Sequence, residues 1–160
     1  ISVTALQLAR AYGAFASDGK IFPISFLHQD TPVQGEQVMS KTTAHQVKRM
    51  MEKVASEKGT ASKAQIANYR VAGKTGTVHK FISGGYSDHR YLSLFAGMAP
   101  ASSPRLVMVV VLDEPQGEHY FGGQVAAPVF SRVMAGALRL LNIPPDDLKI
   151  ASKKSGAKNV

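Results

Sequence analysis

Four consecutive residues, Lys74-Thr75-Gly76-Thr77, combine a fixed cation, two hydroxyls and one residue without a side chain. If the run is extended, the two-residue period of a strand turns both hydroxyls to one face, where each can donate to a carboxylate. Gly76 would let another backbone lie close against the strand. Lys74 would add positive charge that favours an anionic ligand. A competing reading takes Gly73-Lys74-Thr75 as the end of a phosphate-binding loop, with Val109 to Glu114 as its partner strand. That loop needs a glycine five residues before Gly73, and the position holds Asn68. Its Lys-Thr must also open a helix facing the phosphate, whereas Gly76 follows at once and Thr77 to Tyr91 has no helical period. Nucleotide binding is therefore the remote alternative. No carboxylate stands at a diagnostic spacing from His28, His45, His79, His89 or His119. The chain has no Cys, so thiol nucleophiles, disulfides and Cys-based zinc sites are excluded. No cofactor or metal is expected.

The elements that would hold the run are readable from spacing. Thr4 to Gln7 has the form of a capping box, followed by Leu8, Tyr12 and Phe15 at helical intervals and a stop at Asp18-Gly19. Ile21 to His28 is rich in β-branched and aromatic residues and reads as an edge strand, because Pro23 cannot donate to a ladder. After a loop from Asp30 to Gly35, a second helix capped by Ser40 or Thr43 should bury Val47, Met50, Met51 and Val54 and stop before Gly59. Arg70 to Val78, Leu92 to Met98 and Leu106 to Leu112 read as strands, with a turn at Gly84-Gly85 and a tight connection from Pro100 to Pro104. The last of these strands does not alternate, so both of its faces should be covered. Pro128 suits the first turn of a terminal helix, with Val129, Val133, Ala137 and Leu140 along one side and Phe130, Met134, Leu138 and Leu141 widening that face. Asn142 and Pro144-Pro145 end it. The sum is an α+β layout, an antiparallel sheet covered by helices.

At 160 residues and 44% hydrophobic content, the chain is long enough to bury a substantial core. The longest uninterrupted apolar run, Leu106 to Leu112, is far short of a membrane span. The formal charge of +8 includes Lys153, Lys154 and Lys158 in a tail without apolar pattern, and the other basic residues form no stripe. Nucleic-acid binding is accordingly not expected. Residues 1–148 read as folded and 149–160 as a basic, disordered tail.

The run Tyr69-Arg70-Val71-Ala72-Gly73-Lys74-Thr75-Gly76-Thr77 resembles the third-motif strand of class B penicillin-binding proteins. Leu94 to Pro100, Val109 to Pro115, Tyr120-Phe121-Gly122-Gly123, Ala127 to Phe130 and Asn142 to Pro145 resemble that family in the same order. Ser2-Val3-Thr4 with Leu6 to Ala9 resembles its preceding helix. The likeness covers nearly all of residues 1–148 and is nearest the septal transpeptidases of Gram-negative bacteria. It implies the C-terminal portion of a penicillin-binding, β-lactamase-like D,D-transpeptidase domain, which cross-links peptidoglycan stem peptides by serine acyl transfer and reacts with β-lactams. Lys74 would be the motif lysine, Thr75 and Thr77 would bind the substrate carboxylate on a strand opened by Gly76, and the Thr77 N–H would donate to the oxyanion. Tyr120 and Phe121 would help wall the site, or else form a packed aromatic pair. The resemblance further implies a periplasmic domain of an inner-membrane-anchored protein, with division-complex membrane proteins as partners.

The family also uses Ser-x-x-Lys, which holds the nucleophile and its base, and Ser-x-Asn. Ser17-Asp18-Gly19-Lys20 is a turn, Ser155 to Lys158 lies in the tail, and Ser-x-Asn does not occur; Ser87-Asp88-His89 comes nearest. With Ile1 in first position, both motifs are expected upstream, and the chain alone is expected to be inactive. If those motifs were degenerate there, the chain would belong to a non-catalytic peptide- or partner-binding module.

Overall fold

Thr4 opens the first helix. Its hydroxyl accepts the Gln7 N–H at 3.1 Å while the Gln7 side chain accepts the Thr4 N–H at 2.8 Å, so two orphan N-terminal donors find partners. The computed structural model describes residues 3–148. Helix α1 (Ala5–Ala16) ends where Asp18 and Gly19 adopt positive φ. The short strands β1 (Lys20–Ile21) and β2 (Glu36–Gln37) pair with each other. The expected strand from Ile21 to His28 is therefore almost absent: beyond Ile21 the chain is irregular, and Phe26 and Leu27 are 89% and 80% exposed. β-rich composition does not suffice there because no described strand passes alongside.

Helix α2 (Lys41–Val54) is capped by Ser40, whose hydroxyl accepts the Thr43 N–H. It buries Ala44, Lys48 and Met51. The expected apolar stripe is thus rotated: Val47 and Val54 are half-buried, and Met50 faces solvent. A single 3₁₀ turn (Ser62–Ala64) follows.

Strands β3 (Ala72–Ile82), β4 (Gly85–Ala99) and β5 (Leu106–Asp113) form one antiparallel sheet in that order. The β3–β4 hairpin is longer than the apolar pattern predicts, since pairing continues through Phe81↔Tyr86 to a two-residue turn, with an irregularity beyond His79. Register assigns the faces. Ala72 lies opposite Met98, on the side covered by α1 and α2 through Tyr12, Phe15 and Met51. Thr75 lies opposite Phe95 and Thr77 opposite Ser93, on the other side. There Phe95 meets Phe130 of helix α3 (Gly122–Leu140) edge-to-face at 4.8 Å. β5 is packed from both sides as its unbroken apolar run predicts, except that Val111 is exposed.

Helix α3 starts six residues before Pro128, which sits inside it. Its buried face carries Ala126, Ala127, Phe130, Met134 and Leu138, while Val133, Leu140 and Leu141 are exposed. The segment after α3 returns to the sheet: the Tyr69 hydroxyl donates to the Ile143 carbonyl at 2.6 Å, and the Asp146 carboxylate accepts the N–H groups of Arg70 and Ser102. The tail assigned to 149–160 lies outside the described residues.

Candidate active site

The Lys74-Thr75-Gly76-Thr77 run lies within β3, which pairs on one side with β4 and on the other with no described strand. A run inside a strand cannot open a helix toward a phosphate, so the phosphate-loop reading is not supported by this geometry. The strand period carries Thr75 and Thr77 to the α3 face, as the sequence predicts. They line a cleft of about 340 Å³ together with Thr60, Phe121, Gly122, Gly123 and Gln124.

The floor and rim of this cleft are set by the start of α3. The Gly122 N–H donates to the Thr77 hydroxyl oxygen at 3.1 Å, so the hydroxyl hydrogen of Thr77 remains for another acceptor. A Cβ on Gly122 would lie 2.2 Å from the Leu94 carbonyl oxygen and 2.5 Å from that of Gly76. A Cβ on Gly123 would lie 2.0 Å from the Thr60 carbonyl oxygen. The paired glycines thus let the helix end touch the sheet backbone itself. The first turn of α3 has no acidic residue and no cap from Phe121 at its N-cap, so a neutral hydroxyl, that of Thr77, is what meets its partial positive charge.

Gly76 has a packing role of its own. A Cβ there would meet the Leu94 side chain at 2.8 Å, on the face away from Thr75 and Thr77. Lys74 starts from that same opposite face and is exposed. Its amine nevertheless reaches the Thr75 carbonyl oxygen at 3.0 Å and approaches the Thr75 hydroxyl at 3.5 Å.

Phe121 lines the cleft at the start of α3 and is 53% exposed, whereas Tyr120 precedes it and is not a lining residue. Their rings are 4.5 Å apart. Tyr91 stacks on Tyr120 at 4.1 Å and 12°, and His79 lies 4.7 Å beyond Tyr91. Burial, with the Tyr120 hydroxyl beside it, raises the Tyr91 phenol above its ordinary pKa. Nothing in the spacing of Phe81 to Tyr91 points to a role, and only the fold brings Tyr91 to this row. Thr60 likewise reaches the cleft only through the fold, because a lone threonine before the 3₁₀ turn carries no sequence signal.

Other grouped side chains lie elsewhere. A larger open groove of about 740 Å³ is lined by Glu52, Glu57, Arg70 and Asp147 among others, and Arg70 there is paired with Glu52 at 2.7 Å. Ser17-Asp18-Gly19-Lys20 is the turn between α1 and β1. Among the described residues no three His, Asp or Glu side chains are grouped to hold a metal, and no helix is long and apolar enough to cross a membrane.

An antiparallel sheet covered by helices, with Lys74-Thr75-Gly76-Thr77 on one of its strands, is the α+β layout that the sequence predicts. Residues 1–135 match the penicillin-binding protein transpeptidase domain, and the chain belongs to that family. Among curated proteins it is 45% identical over 149 residues to the probable peptidoglycan D,D-transpeptidase PbpC of Pseudomonas aeruginosa, covering 93% of this chain and 26% of that protein. It is also 45% identical over 153 residues to the peptidoglycan D,D-transpeptidase FtsI of Escherichia coli K12, covering 96% of this chain and 26% of the relative. The transpeptidase domain of Burkholderia pseudomallei penicillin-binding protein 3 superposes with a TM-score of 0.83 at 46% identity, over 90% of this chain and 44% of that one. The chain thus spans about a quarter of the length of these curated relatives.

Proposed function

We propose that the chain is the substrate-binding wall of a peptidoglycan D,D-transpeptidase, a serine acyltransferase that takes stem peptides ending in D-Ala-D-Ala and is acylated by β-lactams. The observation that carries this reading is the pair of hydroxyls, Thr75 and Thr77, facing one cleft under the N-terminus of α3. Both substrate classes end in a carboxylate, which two O–H donors and a helix N-terminus suit. The Lys74 amine lies at the same edge, donating to the Thr75 carbonyl oxygen.

Backbone geometry supports an oxyanion role for Thr77. Residues i and i+2 of a strand send their N–H and C=O groups to the same side. The Thr75 carbonyl is taken up by the Lys74 amine, which belongs to the unpaired edge of β3. The Thr77 N–H then lies on that edge as well, where a carbonyl carbon undergoing attack can place its oxygen. Phe121 walls the α3 end of the cleft, with the Tyr120 ring packed behind it. In this reaction the serine gives its proton to the base and its oxygen bonds to the penultimate D-Ala carbonyl carbon, the peptide bond breaks, and the departing D-Ala amine takes that proton from the base. An acceptor amine of a second stem peptide then displaces the serine.

The serine and its base are not on this wall: neither usable Ser-x-x-Lys nor Ser-x-Asn occurs in the sequence. The remainder of a transpeptidase supplies them, in an enzyme that faces the periplasm from an inner-membrane anchor and works with division proteins. The 160-residue chain is expected to give no covalent adduct with a fluorescent penicillin. The same chain, replacing its equivalent in the B. pseudomallei transpeptidase domain, is expected to be labelled stoichiometrically. Thr75→Ala and Thr77→Ala should each slow that labelling by about 10- to 100-fold, the worth of a hydrogen bond to a charged group. A chimera that folds but takes no label would overturn the assignment.

A further inference from the structure

Ser93 is a polar residue with no exposed surface, in the middle of β4. A buried hydroxyl needs a partner, and this one donates to the Tyr120 carbonyl, 27 residues away along the chain. Its position gives that contact a consequence. Ser93 is the direct cross-strand partner of Thr77, so the two hydroxyls stand side by side on the α3 face. Ser93 holds the carbonyl of Tyr120, and Thr77 holds the N–H of Gly122. The two contacts grip the chain one residue before and one residue after Phe121, whose ring is left half outside to line the cleft. Two positions earlier on the same face of β4, Tyr91 stacks on the Tyr120 ring. One strand therefore fixes Tyr120 by both ring and carbonyl.

We propose that Ser93 is a positioning residue of the acyl-transfer site: it clamps the Tyr120–Gly122 turn and, through Gly122, orients the Thr77 hydroxyl toward the substrate. While the Gly122 N–H occupies a lone pair of Thr77 Oγ1, the hydroxyl hydrogen must point elsewhere, and the cleft is the open direction. Without Ser93 the Tyr120 carbonyl loses its buried donor, the turn lifts, and the Thr77 hydroxyl is free to rotate away. This rests on the transpeptidase reading above.

The test uses the chimera already described, carrying Ser93→Ala, with Met134→Ala in the α3 core as a control that destabilises without touching the turn. Second-order acylation by fluorescent penicillin is measured below both melting transitions, alongside hydrogen exchange of residues 119–125. Ser93→Ala should slow acylation about tenfold or more beyond the control and speed exchange at Gly122. Ser93→Cys, a near-isosteric weak donor, should fall between Ser93→Ala and the parent, and it stands in if Ser93→Ala fails to fold. An acylation rate within twofold of the parent, or a loss no larger than that of Met134→Ala, overturns the proposal. If the unsubstituted chimera is not acylated at all, the transpeptidase reading fails instead, and exchange at Gly122 alone decides whether the clamp exists.

Discussion

At the scale of single residues, the site depends on what is missing from side chains as much as on what they present. Gly122 is the sharpest case. The atoms a Cβ would strike, the Leu94 and Gly76 carbonyl oxygens, are both backbone and belong to paired strands. Neither can swing aside as a long side chain would. Gly122→Ala in the full chain should therefore cost about 2 kcal/mol, because the helix end must lift from the sheet. A melting temperature lower by about 5 °C would be expected, whereas Gly136→Ala, with no atom within 4 Å of its added Cβ, should leave stability unchanged or raise it. Equal effects at the two positions would remove the steric account. The sequence discloses Lys74, Thr75, Gly76 and Thr77 because alternation on a strand is a local rule. It does not disclose why Gly122 and Gly123 are glycine, or that Ser93 and Tyr91 reach Tyr120. Those facts depend on a register and a helix docking that only the assembled sheet defines.

At the scale of elements, a small ionic clasp joins the end of α1 to the start of α2. The Asp18 carboxylate receives Lys41 at 2.8 Å and His45 at 2.7 Å. These partners, Lys41 first, hold its pKa down at about 2. A carboxylate whose pKa is depressed by folding adds stability above its unfolded value and loses that contribution as pH falls through the folded one. Asp18→Asn preserves the tolerance for positive φ at this position, where φ is 54°, and removes only the charge. Thermal melting should show the substituted protein less stable at pH 6, with the difference shrinking below about pH 4 and disappearing only below about pH 2. A difference independent of pH would assign the loss to geometry instead. The sequence exposes this junction's Asp-Gly stop and the cap at Ser40, since caps and turns act within a few residues. It misplaces elements whose limits are set at long range. Beyond Ile21 the segment to His28 has no described strand beside it, α2 turns Lys48 inward in place of Met50, and α3 begins at two poor helix formers because they must approach β3 and β4.

At the scale of the whole molecule, the described surface exposes several large apolar side chains. Phe26, Leu27, Phe81 and Leu140 are each at least 75% exposed, and both outer strands of the sheet, β3 and β5, have one edge without a described partner. Exposed apolar groups and open strand edges favour association. The net charge of +8 opposes it by mutual repulsion. Repulsion of this kind is screened over roughly 10 Å at 0.1 M salt and 3 Å at 1 M, whereas apolar contact and edge pairing are not weakened by salt. The balance gives a definite sign. Sedimentation of the full chain should show self-association that grows with protein concentration and grows further as salt is raised. Joined to the rest of a transpeptidase domain, of which it spans 44% in the B. pseudomallei structure, the chain should sediment as a monomer under the same conditions, because the added segment then occupies the open surfaces. Association that weakens with salt would show ion pairing to be its cause. A monodisperse isolated chain at all salt concentrations would mean that these apolar surfaces need no cover.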